Sequence, residues 1–233
     1  MTDGKLGTRG GDARRMILDA ASRLFYDDGI RAVGLDAVAA AAGVTKRTVY
    51  YYFANKDELV AAYLEVRDEV TLRALDAAAD AAHEPGDRIL DVFDYIEQWA
   101  STAAYRGCPF NNAVAEQGAS AAVTAIARRH KQTVEHWFAL QAGLGGAERA
   151  DDAGAQLLVL LDGALNGAAI SGTPAAATTA RAMAERVLDA FGVARAPRRR
   201  FVEPAPAAEY VHSAGHVDAV LPGRRAPRKS AKR

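Results

Sequence analysis

Thr45, Lys46, Arg47, Thr48, Tyr50, Tyr51, Tyr52 and Lys56 gather three cations, two hydroxyls and three consecutive phenols into one short stretch, TKRTVYYYFANK. The chemistry open to such a set is non-covalent. Ammonium and guanidinium groups donate to phosphate oxygens and to the acceptor edges of bases, and a tyrosine ring can lie on a sugar or a thymine methyl while its hydroxyl reaches a phosphate. Neighbouring helical residues point about 100° apart, so Tyr50, Tyr51 and Tyr52 cannot all face one core, and at least one ring looks outward.

A scaffold must hold that surface, and its punctuation is legible. Ile17, Leu18, Ala21, Leu24 and Phe25 recur at helical spacing over Arg14 to Asp28, with Gly29 as the stop. Leu35 to Ala42 predicts a short second helix. Gly43 then turns the chain, and Thr45 caps a third helix reaching about Phe53. Two short helices joined by a glycine turn make a helix-turn-helix. Val44, Val49 and Phe53 form a narrow apolar stripe that can pack on Val38, Ala39 and Ala42. The free face suits a major groove about 12 Å wide, with Lys46 and Arg47 at the amino end that recognition helices insert. Lys56 sits at the next helix start, where an ammonium and a backbone amide array can share a phosphate. The second helix opens on Gly34, which has no hydroxyl to offer.

A long fourth helix, capped by Asn55, runs through Leu59, Tyr63, Val66, Val70 and Leu75 to near Ala82, where the stretch from His83 to Gly86 breaks it. Further helices are expected at Asp87–Thr102, Phe110–Gln117, Ala119–Ala142, Ala147–Ser171 and Thr173–Phe191, the last with Thr173 as N-cap and Pro174 in its first turn. The expected fold is all-α. Residues 1–12 form a flexible N-terminus, 13–56 a three-helix DNA-binding domain, 57–194 a helical body, and 195–233 a disordered tail rich in proline and arginine.

Charge follows the same division. Nine Lys/Arg face six Asp/Glu in residues 1–56, ten face twenty in 57–194, and ten face three in 195–233, although the chain carries 29 of each overall. A basic head on an acidic body fits a polyanion partner. The tail reads as a solvated end or as an auxiliary DNA contact. No stretch reaches about 18 uninterrupted apolar residues, and residues 1–12 lack a signal core, so a cytoplasmic protein without a membrane partner is expected. The single cysteine excludes an internal disulfide. It and the five histidines show no metal-ligand spacing, and no cofactor is expected.

The stretches RRMILDAASRLFYDDGI and GLDAVAAAAGVTKRTVYYYFANKDELVAAYL resemble the DNA-binding head of the TetR family of bacterial transcription repressors over about fifty residues. The resemblance implies that Lys46, Arg47 and Tyr50 meet base edges or adjacent backbone, that Tyr51 makes a further groove contact, and that Thr45, Thr48, Tyr52 and Lys56 hold phosphates. It also implies dimerisation, a palindromic operator and a small-molecule effector that releases the protein from DNA. RGCPFNNAVAE is similar to a segment of one branch of family bodies.

For an effector cavity, Phe93, Tyr95, Ile96, Trp99, Cys108, Phe110, Trp137, Phe138 and Asp162 are the best-suited groups, with plain core as the other reading of each. Asn111 and Asn112 either orient a ligand or end a helix. Cys108 is a small buried apolar group or a redox sensor. Leu157, Leu158, Leu160, Leu161, Leu165, Val187, Leu188 and Phe191 are either a self-complementary dimer face or intramolecular core. Two other functions stay open. An all-helical enzyme is one, although GxSxG, HExxH and phosphate-loop signatures are absent from the sequence. A sequence-tolerant nucleoid-type DNA binder is the other.

Overall fold

The computed structural model describes residues 6–79, 84–117 and 120–196. Among them the chain forms nine helices and no strand: α1 (Leu6–Asp27), α2 (Leu35–Ala41), α3 (Lys46–Tyr52), α4 (Lys56–Ala79), α5 (Pro85–Ala100), α6 (Pro109–Gln117), α7 (Ala121–Leu144), α8 (Ala150–Ser171) and α9 (Ala175–Ala190). The end of the tail expected to be disordered, 197–233, lies outside the described residues, as do the expected end of the fourth helix near Ala82 and the first residue, His83, of the expected break.

Several boundaries differ from expectation. Helix α1 starts at Leu6, eight residues before the expected Arg14, although Gly7, Gly10 and Gly11 oppose helix by propensity. Helix α5 starts at Pro85, whose missing N–H costs nothing in a first turn, with Glu84 ahead of it. Pro174, not Thr173, is the N-cap of α9, receiving the amides of Ala177 and Thr178; the Thr173 hydroxyl instead faces that of Ser171.

Helices α1, α2 and α3 pack on one another, and α1 packs on α4. Gly43, at φ +66°, closes α2 in a double backbone bond, Gly43 N–H to Ala40 O and Val44 N–H to Ala39 O, a Schellman turn that only glycine enters without strain. The α2–α3 turn thereby drops Val44 onto the core. Asn55 accepts from the Glu58 amide at 2.9 Å while Glu58 reaches back to the Ala54 amide at 2.7 Å, fixing where α4 begins.

Behind the head, α4 leads into a bundle in which α8 lies between α7 and α9, and α5 packs on α7, α8 and α9. Helix α8 is apolar enough over its 22 residues to cross a membrane by length and composition alone, yet only 39% of its most apolar window is buried inside the protomer. The chain after α9 is tied down as well: Ala194 bridges Gly145 and Gly86 through backbone bonds, and Arg195 pairs with Asp189.

The α7–α8 crossing depends on Gly154. A Cβ there would lie 2.8 Å from the Glu135 carbonyl and 2.9 Å from the Ala139 amide nitrogen, both backbone atoms that cannot rotate away. Between α4 and α7, His130 is buried with Nδ1 2.8 Å from Asp68, and Phe110 stacks on its ring at 3.7 Å. Burial is the main cause that lowers the His130 pKa, and the Asp68 carboxylate only partly opposes it. The imidazole is therefore neutral when folded, its Nδ1–H donated to Asp68.

Two outcomes follow. Gly154→Ala is expected to destabilise by ~1–3 kcal/mol through overpacking despite alanine's better helix propensity, read as a lowered Tm. His130 binds its proton more readily unfolded, near pH ~6.5, than folded. Its contribution is thus present above that pH and lost on acidification below it. The Tm of the wild type should fall between pH 7.5 and 5.5 by more than that of His130→Gln.

Candidate nucleic-acid interface

Helix α3 has seven residues, of which Val49 is fully buried, and its C-cap Phe53 is 2% exposed. That leaves two outward rows at i, i+4 spacing. Lys46 stands beside Tyr50, and Arg47 beside Tyr51; the two rings are 49% and 81% exposed. Tyr52 is half-buried against the core and meets Tyr51 edge-on at 4.9 Å. Two phenols look outward, and the third anchors them.

The remaining polar groups are already engaged. Thr45 caps α3, its Oγ1 accepting the Thr48 amide at 3.1 Å and lying 2.8 Å from the Thr48 hydroxyl. Lys56 is turned back on the head, its Nζ 3.4 Å from the Arg31 carbonyl. Lys46 donates to Asp36, in the first turn of α2, at 2.8 Å, and this bond is the main cause raising its pKa. Asp36 was not among the residues read from the sequence, because its partner is ten positions away on another helix. Arg14, whose guanidinium covers the Phe53 ring at 5.4 Å, escaped for the same reason. Gly34 caps α2 with no side-chain bond, as its lack of a hydroxyl requires.

A second set of contacts joins this head to the bundle. Tyr26 of α1 donates to the Gly107 carbonyl at 3.2 Å and accepts from the Arg106 amide at 2.9 Å. Burial pushes its pKa up to about 12, so it remains a donor. Glu116 at the end of α6 accepts the Arg31 amide at 2.8 Å. The segment between them also grips α8: the Tyr105 hydroxyl donates to the Leu165 carbonyl at 2.7 Å, Asn111 reaches Asn166, and Gly107 lies where a Cβ would meet Ala169 at 3.1 Å. Asn112 is turned inward to the Arg106 carbonyl.

The apolar residues among those expected for an effector belong to one core cluster, within which three sets of contacts stand out. Trp99 packs with Tyr26, Tyr95 and Tyr105; Phe93 and Trp137 both contact Phe138; Phe110 covers His130, with Cys108 3.6 Å from Lys131, which pairs with Asp162. Ile96 is buried on the same face of α5 as Phe93. The indole N–H groups of Trp99 and Trp137 are buried with no acceptor among the described residues.

Of the expected dimer residues, Leu157, Leu161, Leu165 and Leu188 are at most 7% exposed within the protomer, and Leu158, Leu160, Val187 and Phe191 are half-buried against the same core. The first four face inward: Leu157, Leu161 and Leu165 on the side of α8 that packs on α7 and α9, and Leu188 on α9, which packs on α5 and α8. The outward side carries Val159 and Ile170, at 70% and 88% exposure. An apolar groove between α8 and α9 is lined by Val159, Leu160, Gly163, Ala175, Ala176, Thr179, Ala180 and Met183.

Residues 17–63 match the family model of bacterial regulatory proteins, tetR family. A solved structure from Streptomyces avermitilis, described as a TetR transcriptional regulator, is 31% identical and superposes with a TM-score of 0.68 over 78% of this chain and 99% of that one. Among curated proteins, the HTH-type transcriptional regulator YxaF of Bacillus subtilis is 30% identical over 104 residues, 44% of this chain and 54% of that one. The HTH-type transcriptional activator FasR of Mycolicibacterium smegmatis is 32% identical over 116 residues, 48% of this chain and 52% of its own. The chain thus spans about half the length of these curated relatives.

Proposed function

Because this chain belongs to the TetR family of helix-turn-helix, DNA-binding transcription regulators, we propose that it is a homodimeric repressor, released from a palindromic operator by a small molecule. In this reading residues 13–56 are the DNA-binding domain and 57–194 the effector and dimerisation domain. The protein works in the cytoplasm, where its DNA is, and catalyses no reaction. The observation that carries the reading is the doubled row Lys46–Tyr50 and Arg47–Tyr51, solvent-facing on a helix whose other side is fixed by Val49 and Phe53. Thr45, Thr48, Tyr52 and Lys56 flank those rows and take phosphates.

One seven-residue helix reads too few bases for useful discrimination, so two copies must act together. The uncovered face of α8 with α9 supports the pairing. Gly163 is exposed within α8, and a Cβ there would meet nothing within 4 Å among the described residues, although a mid-helix glycine costs ~1 kcal/mol relative to alanine. A close partner helix accounts for the missing side chain. In this reading the exposed face of α8 with α9 is the dimer surface, with the half-buried Leu158, Leu160, Val187 and Phe191 on the same two helices.

For the effector, the unpaired Trp99 and Trp137 indoles support a binding region in the body, since a buried donor without an acceptor costs ~1–3 kcal/mol that a ligand carrying an acceptor recovers. Two routes lead from there to the head: α4 itself, and the Tyr105–Glu116 segment that holds Tyr26 and the Arg31 amide. A coupling of ~1–3 kcal/mol suffices to weaken an operator complex five- to 150-fold.

Selection of duplexes from a random pool tests the reading directly. The full chain should recover a two-fold symmetric consensus; Tyr50→Ala should weaken that duplex by ~1–3 kcal/mol with the dimer intact, and Gly163→Arg should yield monomers by light scattering that bind it poorly. Equal affinity for selected and scrambled duplexes would favour the nucleoid-type alternative. In a thermal-shift screen of small metabolites, a compound at 100 times its Kd adds ~2.7 kcal/mol. Trp99→Phe, which removes the donor and leaves a smaller aromatic ring, should stay folded with a somewhat lower Tm and lose that gain.

A further inference from the structure

We infer that Asp36 is a specificity-determining residue of the DNA-binding face, acting with Lys46 as a paired acceptor and donor that recognises one G·C pair in each half-site. The inference rests on the reading of α3 as the groove-entering helix. Asp36 and Lys46 come from different helices, yet Oδ2 and Nζ are 2.8 Å apart, with 73% and 49% of their side chains exposed. So open a pair contributes little to folding. On a surface that meets a polyanion, a carboxylate also repels the ligand, so general affinity does not explain it. What the carboxylate does is hold the ammonium in one place and stand beside it as an acceptor.

The major-groove edge of a G·C pair has the complementary layout. Guanine offers N7 and O6 as acceptors, and the cytosine N4 amino group next to them is a donor. An ammonium on N7 and O6, with a carboxylate receiving the amino hydrogen, pairs both groups with one base pair. Tyr50, in the same α3 row as Lys46, covers the adjacent position. An A·T pair carries its amino donor between two acceptors, adenine N7 and thymine O4, so with the carboxylate on the amino hydrogen the ammonium reaches one acceptor instead of two. Where no amino group is in reach the carboxylate faces acceptors or phosphates and opposes binding, so discrimination combines a better fit to G·C with a penalty on wrong partners.

The experiment compares the wild-type full chain with Asp36→Ala, Lys46→Ala and the double variant. Each is taken through duplex selection, and its affinity for the wild-type consensus and for a scrambled duplex is measured from 50 to 200 mM salt. The wild type should select a G·C pair at a fixed position in both half-sites. Asp36→Ala should lose that preference, bind scrambled DNA more tightly, and lower the ratio of consensus to scrambled affinity roughly tenfold. Its salt slope should steepen by about 0.9, because the freed Lys46 takes a phosphate and releases one more counterion. In the Lys46→Ala background, Asp36→Ala should leave the slope unchanged. A consensus and slope retained by Asp36→Ala would overturn the inference alone, with the Tm of each variant distinguishing this from misfolding. A wild type that selects no consensus would overturn the sequence-specific reading along with it.

Discussion

A helix of two turns cannot persist on its own hydrogen bonds, so the direction in which α3 faces is set by what its inner side buries. Val49 and Phe53 supply that side, on a helix that packs against α1 and α2. Burial of side chains this size contributes ~1.5–3 kcal/mol each, enough to hold a short element whose outer rows are otherwise free. Every polar feature of the head takes its bearing from this seat. Arg47 and Tyr51 can extend into solvent because the opposite side is committed. The Lys46–Asp36 pair can form because the Gly43 turn brings the amino ends of α2 and α3 together.

The bundle behind the head answers a different constraint. Helix α8 is apolar around most of its circumference, and the protomer covers only part of it. On the α7 side, glycine permits backbone-to-backbone approach at residue 154. On the far side, a Cβ on glycine 163 would meet nothing within 4 Å among the described residues. The same residue type thus stands at a close helix crossing on one side of α8 and on its open face on the other.

How much of this was legible follows from how local each signal is. The turn at Gly43, the Thr45 cap and the stripe of Val44, Val49 and Phe53 lie within ten residues, and short-range rules are enough to read them. The inward and outward sides of α8 were not legible, since Leu157, Leu158, Leu160 and Leu161 offer apolar groups in nearly every direction and only the neighbours select a face. Most of the residues expected to line an effector cavity lie in the core, while Asp162 keeps 33% of its side chain exposed; which of them touch depends on how α5, α6 and α7 cross. The Asp36–Lys46 and Glu116–Arg31 contacts span ten and 85 positions, and no periodicity encodes them.

The segment from Tyr105 to Glu116 touches α8 at Leu165, Asn166 and Ala169 and touches the head at Tyr26 and Arg31. In an assembly paired through α8, that makes it a caliper, with one jaw at the symmetry axis and the other on the reading head. Its length, rather than any residue that meets DNA, then sets the gap between two half-sites. A lineage could drift to operators of new spacing by gaining or losing a residue there, while its base preferences and its pairing surface stayed as they were.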